Sequence, residues 1–222
     1  MDDLARLSKH VEDYLKNIYK LQAESSPVTT KAIAEKMSLS PASVTSMTKK
    51  LGQMKLLTYT PYRGVVLTRR GERVALEIIR HHRLLELYLN QKMGMEWHKV
   101  DAEAEELEHV LSDELEAAMD KALDYPTLDP HGDPIPAKDG TMINHNEVVL
   151  NDLEPGRATQ VTRVIQDDSE VLHRLGRLGF FPEVPIEVKR HDPLAGTVTV
   201  LVRGKSVTLG REIASRIFAA RQ

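Results

Sequence analysis

Residues 30–68 restrict the possible folds more than any other stretch of the chain. TKAIAEKM, over 30–37, reads as a short helix with a threonine at its head. Ser38, Leu39, Ser40 and Pro41 interrupt it, and PASVTSMTKKLGQM reads as a second helix over 41–54. Ser40 is placed to cap that helix, and Pro41 sits where its missing N–H is harmless. Ile33, Ala34, Met37, Leu39, Val44, Met47 and Leu51 form the apolar set that joins the two helices. The outer face is polar: Ser40, Ala42, Ser43, Thr45, Ser46, Lys49 and Lys50. A short helix, a tight turn and a second helix with a polar outer face make a helix-turn-helix. LLTYTPYRGVVLT, over 56–68, then reads as two short strands around a turn at 61–64, with Arg63 at the tip. That hairpin is a wing, and it favours DNA binding over a plain helical hairpin. Short hydroxyl side chains approach base edges and phosphates closely, while lysine neutralises phosphate. The expected contacts with double-stranded DNA are Thr30, Ser40, Ala42, Ser43, Thr45, Ser46, Lys49 and Arg63.

Charge divides the chain in a compatible way. Residues 1–75 carry 13 Lys+Arg against 7 Asp+Glu, a net of +6. Residues 76–130 carry 5 against 14, a net of −9, and residues 131–222 carry 12 against 12. Basic charge suits a polyanion and concentrated acid suits metal cations, although ordinary surface variation produces similar patterns. The chain has no cysteine, so disulfides and thiolate ligands are excluded. No apolar run reaches the length of a membrane span, and the polar N-terminus lacks a signal-peptide core. A cytoplasmic location is the simplest expectation.

A first helix is expected over 8–23, with Val11, Leu15, Ile18, Tyr19 and Leu21 at helical spacing and Asp13 and Lys16 off that stripe. A long helix runs from 68 to about 93 and puts His82 and Glu86 at i and i+4. DAEAEELEHVLSDELE, over 101–116, reads as one further helix, with Leu107, Val110, Leu111 and Leu115 as its apolar stripe. Glu105, Glu108 and His109 share a face of it, so two carboxylates and an imidazole can converge there. Taken alone, this face reads better as a solvated acidic surface that happens to carry a histidine, because E-x-x-E-H is common by chance. Residues 125–148 are rich in proline and polar residues and read as an irregular linker. Short β-type runs follow at 158–165, 185–189, 197–202 and 206–209, with a helix near 170–178. They suggest a small β-barrel.

With these elements in place, the chain resembles the diphtheria toxin repressor family of metal-dependent repressors along nearly its whole length. The marks are VEDYLKNIYKL at 11–21, IAEKMSLSPASVTSMTKKL at 33–51, HRLLELYL at 82–89, ELEHVLSDELE at 106–116 and DPHGDPIP at 129–136. The resemblance implies a mainly α chain with a small β domain: a winged helix-turn-helix over 1–75, a helical metal-binding and dimerisation domain with its linker over 76–148, and an SH3-like barrel over 149–222. It implies a primary metal site of Asp13, Glu105, Glu108 and His109. Softer ligands in this family go with iron, whereas the Asp/Glu set goes with manganese, so Mn2+ is the expected metal and Fe2+ a possible one. Manganese-responsive members carry a second acid where this chain has Lys16, which argues against a closely paired metal site. The resemblance then implies a separate ancillary site of His82, Glu86, Asp101, Glu170 and His173. His10 and His98 are left as surface residues.

The expected function is a homodimeric, metal-activated transcriptional repressor of metal-homeostasis genes that binds a palindromic operator. No membrane and no small organic substrate is expected. Two rival readings remain. One is a metal-dependent hydrolase using E-x-x-E-H, for which the chain offers no nucleophile motif, no H-E-x-x-H and no P-loop. The other is a DNA-binding module indifferent to metal.

Overall fold

The structure, a computed structural model, describes residues 7–144 and 146–221. Residues 1–6 of the expected DNA-binding domain and residue 145 of the expected linker lie outside the described residues. The chain divides into two compact units. One runs through His81 and takes in Pro136–Thr141; the other holds His82–Ile135 and the chain from Met142 onward.

The first unit contains α1 (Lys9–Glu24), α2 (Thr30–Met37), α3 (Pro41–Gln53), β1 (Leu57–Thr60), β2 (Gly64–Leu67) and the start of α4 (Arg69–Gln91). The turn between α2 and α3 forms because Ser38 takes the left-handed conformation at φ 54°, and its N–H bonds back to Ala34 and Glu35. Thr29, not Thr30, caps α2, its side chain accepting from the Ala32 N–H. Ser40 caps α3 by accepting from the Ser43 N–H at 3.2 Å, with Pro41 in the first turn. Val44 and Leu51 are fully buried, with Ile33, Leu15 and Ile18, in one core. Truncating such a side chain to alanine costs about 2–5 kcal/mol. The β1–β2 hairpin pairs Leu57 with Leu67 and Thr60 with Gly64. Val28 adds a third edge through reciprocal bonds with Val65 of 2.8 and 2.9 Å. Gly64 is obligatory here: its φ is +123°, and a Cβ would lie 2.2 Å from the Val28 carbonyl oxygen.

The second unit contains the rest of α4, α5 (Val100–Leu107), α6 (Asp113–Ala122), β3 (Glu147–Val149), β4 (Ala158–Val164), α7 (Ser169–Leu178), β5 (Pro185–Asp192), β6 (Thr197–Val202), β7 (Lys205–Gly210), α8 (Arg211–Ala214) and β8 (Ile217–Ala220). The strands form an antiparallel sheet in the order β3-β8-β4-β5-β6-β7. Its core is alternating: Val198, Val200 and Val202 of β6 point inward with Ile186 and Val188 of β5. Leu172, Leu175 and Phe180 close it. Among the described residues, no helix is long and apolar enough to cross a membrane.

Two expectations change. The single helix over 101–116 is two helices, broken after Leu107. Ser112 caps α6 by accepting from the Leu115 N–H, and Asp113, Glu114 and Glu116 crowd its first turn, where the helix dipole favours acid. That local cap prevails over helix formers on both sides. Leu107, Val110 and Leu115 are left exposed, while Leu111 is buried. The second change concerns the supposed linker over 125–148. Asp129, His131 and Ile135 within it are buried, so its stretch over 129–136 packs into the interior, while most of 137–146 is exposed.

Candidate metal centre

His82 stands at the centre of the second unit's acidic region and is 3% exposed. Its helix, α4, places Glu86 one turn away. The first turn of α5 supplies Asp101, the next turn Glu105, and the helix end Glu108. The imidazole touches all four acids. Nδ1 is 2.6 Å from Glu108 Oε2 and 3.8 Å from Glu105 Oε2. Nε2 is 3.3 Å from Asp101 Oδ1 and 3.5 Å from Glu86 Oε1. Burial pulls the His82 pKa down, but the neighbouring Asp101, Glu108 and Glu86 carboxylates outweigh it and hold the group well above the usual histidine range. His109 Nε2 is 3.1 Å from Glu108 Oε1, so Glu108 lies between two imidazoles.

The acidic region continues into a loop whose buried acid and histidine are not singled out by the sequence. Asp129 Oδ1 accepts from the backbone N–H groups of His131 at 2.8 Å and Asp133 at 2.9 Å, an Asx turn that fixes the carboxylate. Gly132 completes the turn at φ +91°, where a Cβ would meet the Thr162 carbonyl oxygen at 2.0 Å. His131 Nε2 is 2.8 Å from the Trp97 carbonyl oxygen. A carbonyl can only accept, so Nε2 carries the proton and the Nδ1 lone pair points the other way, 3.7 Å from Glu86 Oε1. Ligating histidines are oriented in this manner.

Glu86, Asp129 and His131 each offer an atom within 4.8 Å of the others, and all three are buried. Among the described residues, both Glu86 oxygens, Asp129 Oδ2 and His131 Nδ1 lack a hydrogen-bond partner. Arg83 Nε, at 3.9 Å from Asp129 Oδ2, is a distant counter-ion. Burial, then the neighbouring Glu86 and Asp133 carboxylates, push the Asp129 pKa well above the usual carboxylate range. Buried acceptors without donors are rare and need a reason. A divalent cation fits, since it would satisfy oxygen and imidazole donors together. The second groups are His82, Glu86 and Asp101, and His82, Glu105 and Glu108.

The remaining expected ligands fall as follows. Asp13 and Lys16 lie on α1 in the first unit; Asp13 is half-buried, and Lys16, expected off the apolar stripe, is buried. Glu170 and His173 are exposed on α7. Neither belongs to a group, among the described residues, whose ligand atoms converge within 4.8 Å. The His173 ring instead stacks on His98, with centroids 4.4 Å apart. Burial and His173 lower the His98 pKa.

On the first unit, Pro41, Ala42, Thr45, Ser46, Lys49, Lys50 and Gln53 line one open groove along α3. Ser40, Ala42, Ser43, Ser46 and Lys49 are exposed, and Thr45 bonds its hydroxyl to the Pro41 carbonyl. Ser40 and Ser43 also bond each other at 2.8 Å, so their hydroxyls serve the cap first. Arg63 is exposed at the hairpin tip, and Thr30 is half-buried at the head of α2.

Comparison with known proteins assigns each region. Residues 6–65 match the N-terminal DNA-binding domain of iron-dependent repressors, residues 68–137 their metal-binding and dimerisation domain, and residues 148–221 the FeoA domain. The chain is 32% identical to the iron-dependent repressor IdeR of Mycobacterium leprae, over 93% of this chain and 94% of that one. It is 31% identical to the diphtheria toxin repressor of Corynebacterium jeikeium, over 77% and 81%. A manganese-dependent transcriptional repressor in complex with manganese superposes with a TM-score of 0.88 at 34% identity, covering 95% of this chain and 99% of that one. ScaR with bound Zn2+ superposes with a TM-score of 0.80 at 32% identity, covering 96% and 99%.

Proposed function

The chain belongs to the family of iron-dependent and diphtheria toxin repressors, which are metal-dependent transcriptional repressors, and from that premise we propose that it is a homodimer that binds a palindromic operator when loaded with Mn2+ or Fe2+. One observation carries the reading: a chain with a DNA-binding domain also holds a buried set of carboxylate and imidazole atoms without donors. Neither a hydrolase nor a metal-blind module accounts for both.

Two metal sites are proposed. The primary site uses Asp13, Glu105, Glu108 and His109. The second uses Glu86, Asp129 and His131, with His82 and Asp101 beside them. Glu170 and His173, which the family resemblance implies for a site with His82, Glu86 and Asp101, remain proposed as its further ligands. A divalent cation, when bound, supplies the positive charge that these acids lack. Hard oxygen donors with imidazole suit Mn2+ and Fe2+, while Zn2+ or Co2+ would bind at least as tightly by intrinsic affinity. Several manganese-dependent and zinc-bound structural relatives accord with that donor set.

Joining Asp13 to the α5 end through metal would select one spacing of the two α3 helices, about 34–36 Å for successive major grooves. Exposed Leu107, Val110 and Leu115 are proposed as the dimer contact. Target genes are proposed to be those of metal homeostasis. The deciding experiment is a DNA-binding titration with Mn2+, Fe2+, Zn2+ and Co2+ at fixed salt, because phosphate contacts make affinity salt-dependent. Metal should tighten binding to an imperfect palindrome, and Glu108→Ala should abolish the response. Binding that ignores a chelator would overturn the proposal.

A further inference from the structure

The buried cluster of Glu86, Asp129 and His131 is held in place from the C-terminal sheet. Arg163 of β4 forks onto Glu147 of β3, with Nε at 3.1 Å and a terminal nitrogen at 2.5 Å from Oε1. Its guanidinium lies 4.0 Å above the Phe218 ring of β8, which fixes its plane. The third nitrogen stands 3.6 Å from Asp133 Oδ1. That oxygen is 3.4 Å from Arg83, and Arg83 reaches back to Asp129 Oδ2 at 3.9 Å. Arg83 also donates to the Pro134 carbonyl at 2.5 Å. Charges thus alternate from Glu147 through Arg163, Asp133 and Arg83 to Asp129.

Backbone contacts run alongside. The Val164 N–H donates to the His131 carbonyl at 2.9 Å, and Gly132 lets the loop pack on the Thr162 carbonyl. Trp97 lies between the two parts: it stacks on His131 with centroids 5.2 Å apart and meets the Phe181 ring at a tilt of 47°, 4.7 Å away. Gly176 of α7 leaves room for the indole, since a Cβ there would lie 2.6 Å from Nε1.

We propose that Arg163 is a positioning residue for the buried cluster: acting through Asp133 and Arg83, it sets the Asp129 carboxylate and thereby the affinity of the cluster for a divalent cation. The inference rests on the reading of Glu86, Asp129 and His131 as a metal site. Arg163 touches no ligand atom itself. Its long-range field and its positioning have opposite signs. A cation removed from the neighbourhood should tighten metal binding by field alone. A loosened Asp129 loop should weaken it, as loss of outer-shell partners does by about 10–100-fold. By reciprocity, metal held at the cluster would also tighten the hold of the sheet on the loop.

Trp97 is the only tryptophan of the chain, and it stacks on His131, so its fluorescence reports this cluster. The full-length protein is titrated with Mn2+ and with Co2+ while Trp97 emission is followed, and thermal melts establish folding. Glu86→Gln should remove the signal change; a change that persists overturns the metal-site reading itself. With that control in place, Arg163→Met and Asp133→Asn should each raise the apparent Kd about 10-fold. The double variant should bind no more weakly than either single one, because both act through one relay. Arg163→Lys, which keeps the charge without the fork, should fall between Arg163→Met and the parent, and it carries the test if Arg163→Met does not fold. An unchanged or tightened Kd in the folded Arg163 variants would overturn the positioning role, and so would losses that add in the double variant.

Discussion

Asp129→Asn separates the two duties of one side chain. Asp129 is 5% exposed, its Oδ1 holds two backbone N–H groups, and its Oδ2 has no hydrogen-bond donor. Asparagine keeps the Oδ1 bonds and puts an amide where the orphan oxygen stood. A buried unsatisfied polar group costs about 1–3 kcal/mol, more when charged. Relieving it should stabilise the metal-free protein by about 2 kcal/mol, or about 4–8 °C in the melting temperature of a protein this size. The pKa of Asp129 is raised in the folded state, so the native protein holds that proton more tightly than the unfolded chain does. Its contribution to stability is therefore present at low pH and is lost as pH rises through the folded-state value. The advantage of Asp129→Asn should accordingly grow with pH and vanish in acid. Metal reverses the order. At a concentration of about 1,000 times the parent Kd, the parent gains about 4.1 kcal/mol. A variant weakened about 100-fold gains only about 1.4 kcal/mol. The parent should then melt higher. Differential scanning calorimetry at pH 5 and pH 7.5, with chelator and with Mn2+, reads all four states. A metal-free variant that melts below the parent, or an equal gain from Mn2+, would refute the argument.

Other expectations follow from the same geometry. The His82 pKa is raised by its acids, so the folded protein holds more tightly on this ring a proton that metal must displace. Metal affinity should climb with pH through neutrality, and His82→Gln should flatten that slope in calorimetric titrations. In the metal-free protein the sign is reversed: the favourable His82⁺–carboxylate contacts are present below the unfolded pKa and lost as pH rises through the folded one. Gly132→Ala should destabilise the second unit and lose cluster binding together, seen as a lower melting temperature and no Trp97 response, because its Cβ would strike the Thr162 carbonyl. Lys49→Ala, on the exposed face of α3, should weaken DNA binding evenly across sequences and reduce the salt slope by about one. A changed base preference with an unchanged slope would remove Lys49 from the phosphate contacts.

The first unit was legible because its signals are local. Ser40 and Pro41 start a helix by themselves, and the limits read for the helix over 30–37 match α2. The strand over 197–202 was likewise read from its alternation. Ser112 escaped notice because helix formers flank it and only its bond to the Leu115 N–H reveals a new start. Residues 213–218, which read from sequence as a final helical turn or a short strand, overlap the end of α8 and the start of β8. The closeness of His82 and Glu86 was legible from helical spacing, and that of Asp101 from resemblance, because each lies on a helix. Asp129 and His131 were not legible in this way. Their place in the buried group depends on the Trp97 carbonyl that accepts the His131 N–H and on Glu86 from a distant helix, neither of which is a neighbour in sequence. The Asp-x-His-Gly run was visible as turn chemistry, but its burial was not.

The Asx turn at Asp129 also limits which ions can stay. Oδ1 is committed to the backbone, so Asp129 can offer one oxygen, His131 one nitrogen and Glu86 two oxygens. These residues are 0–5% exposed, which leaves little room for a hydration shell. Ca2+ takes about 6–8 oxygen ligands, and Mg2+ sheds its waters reluctantly. Both would have to dehydrate for too few protein donors. On the proposed reading of this cluster as a metal site, it disfavours the abundant alkaline-earth ions by starving them of coordination, and the nearby Arg83 cation adds to that.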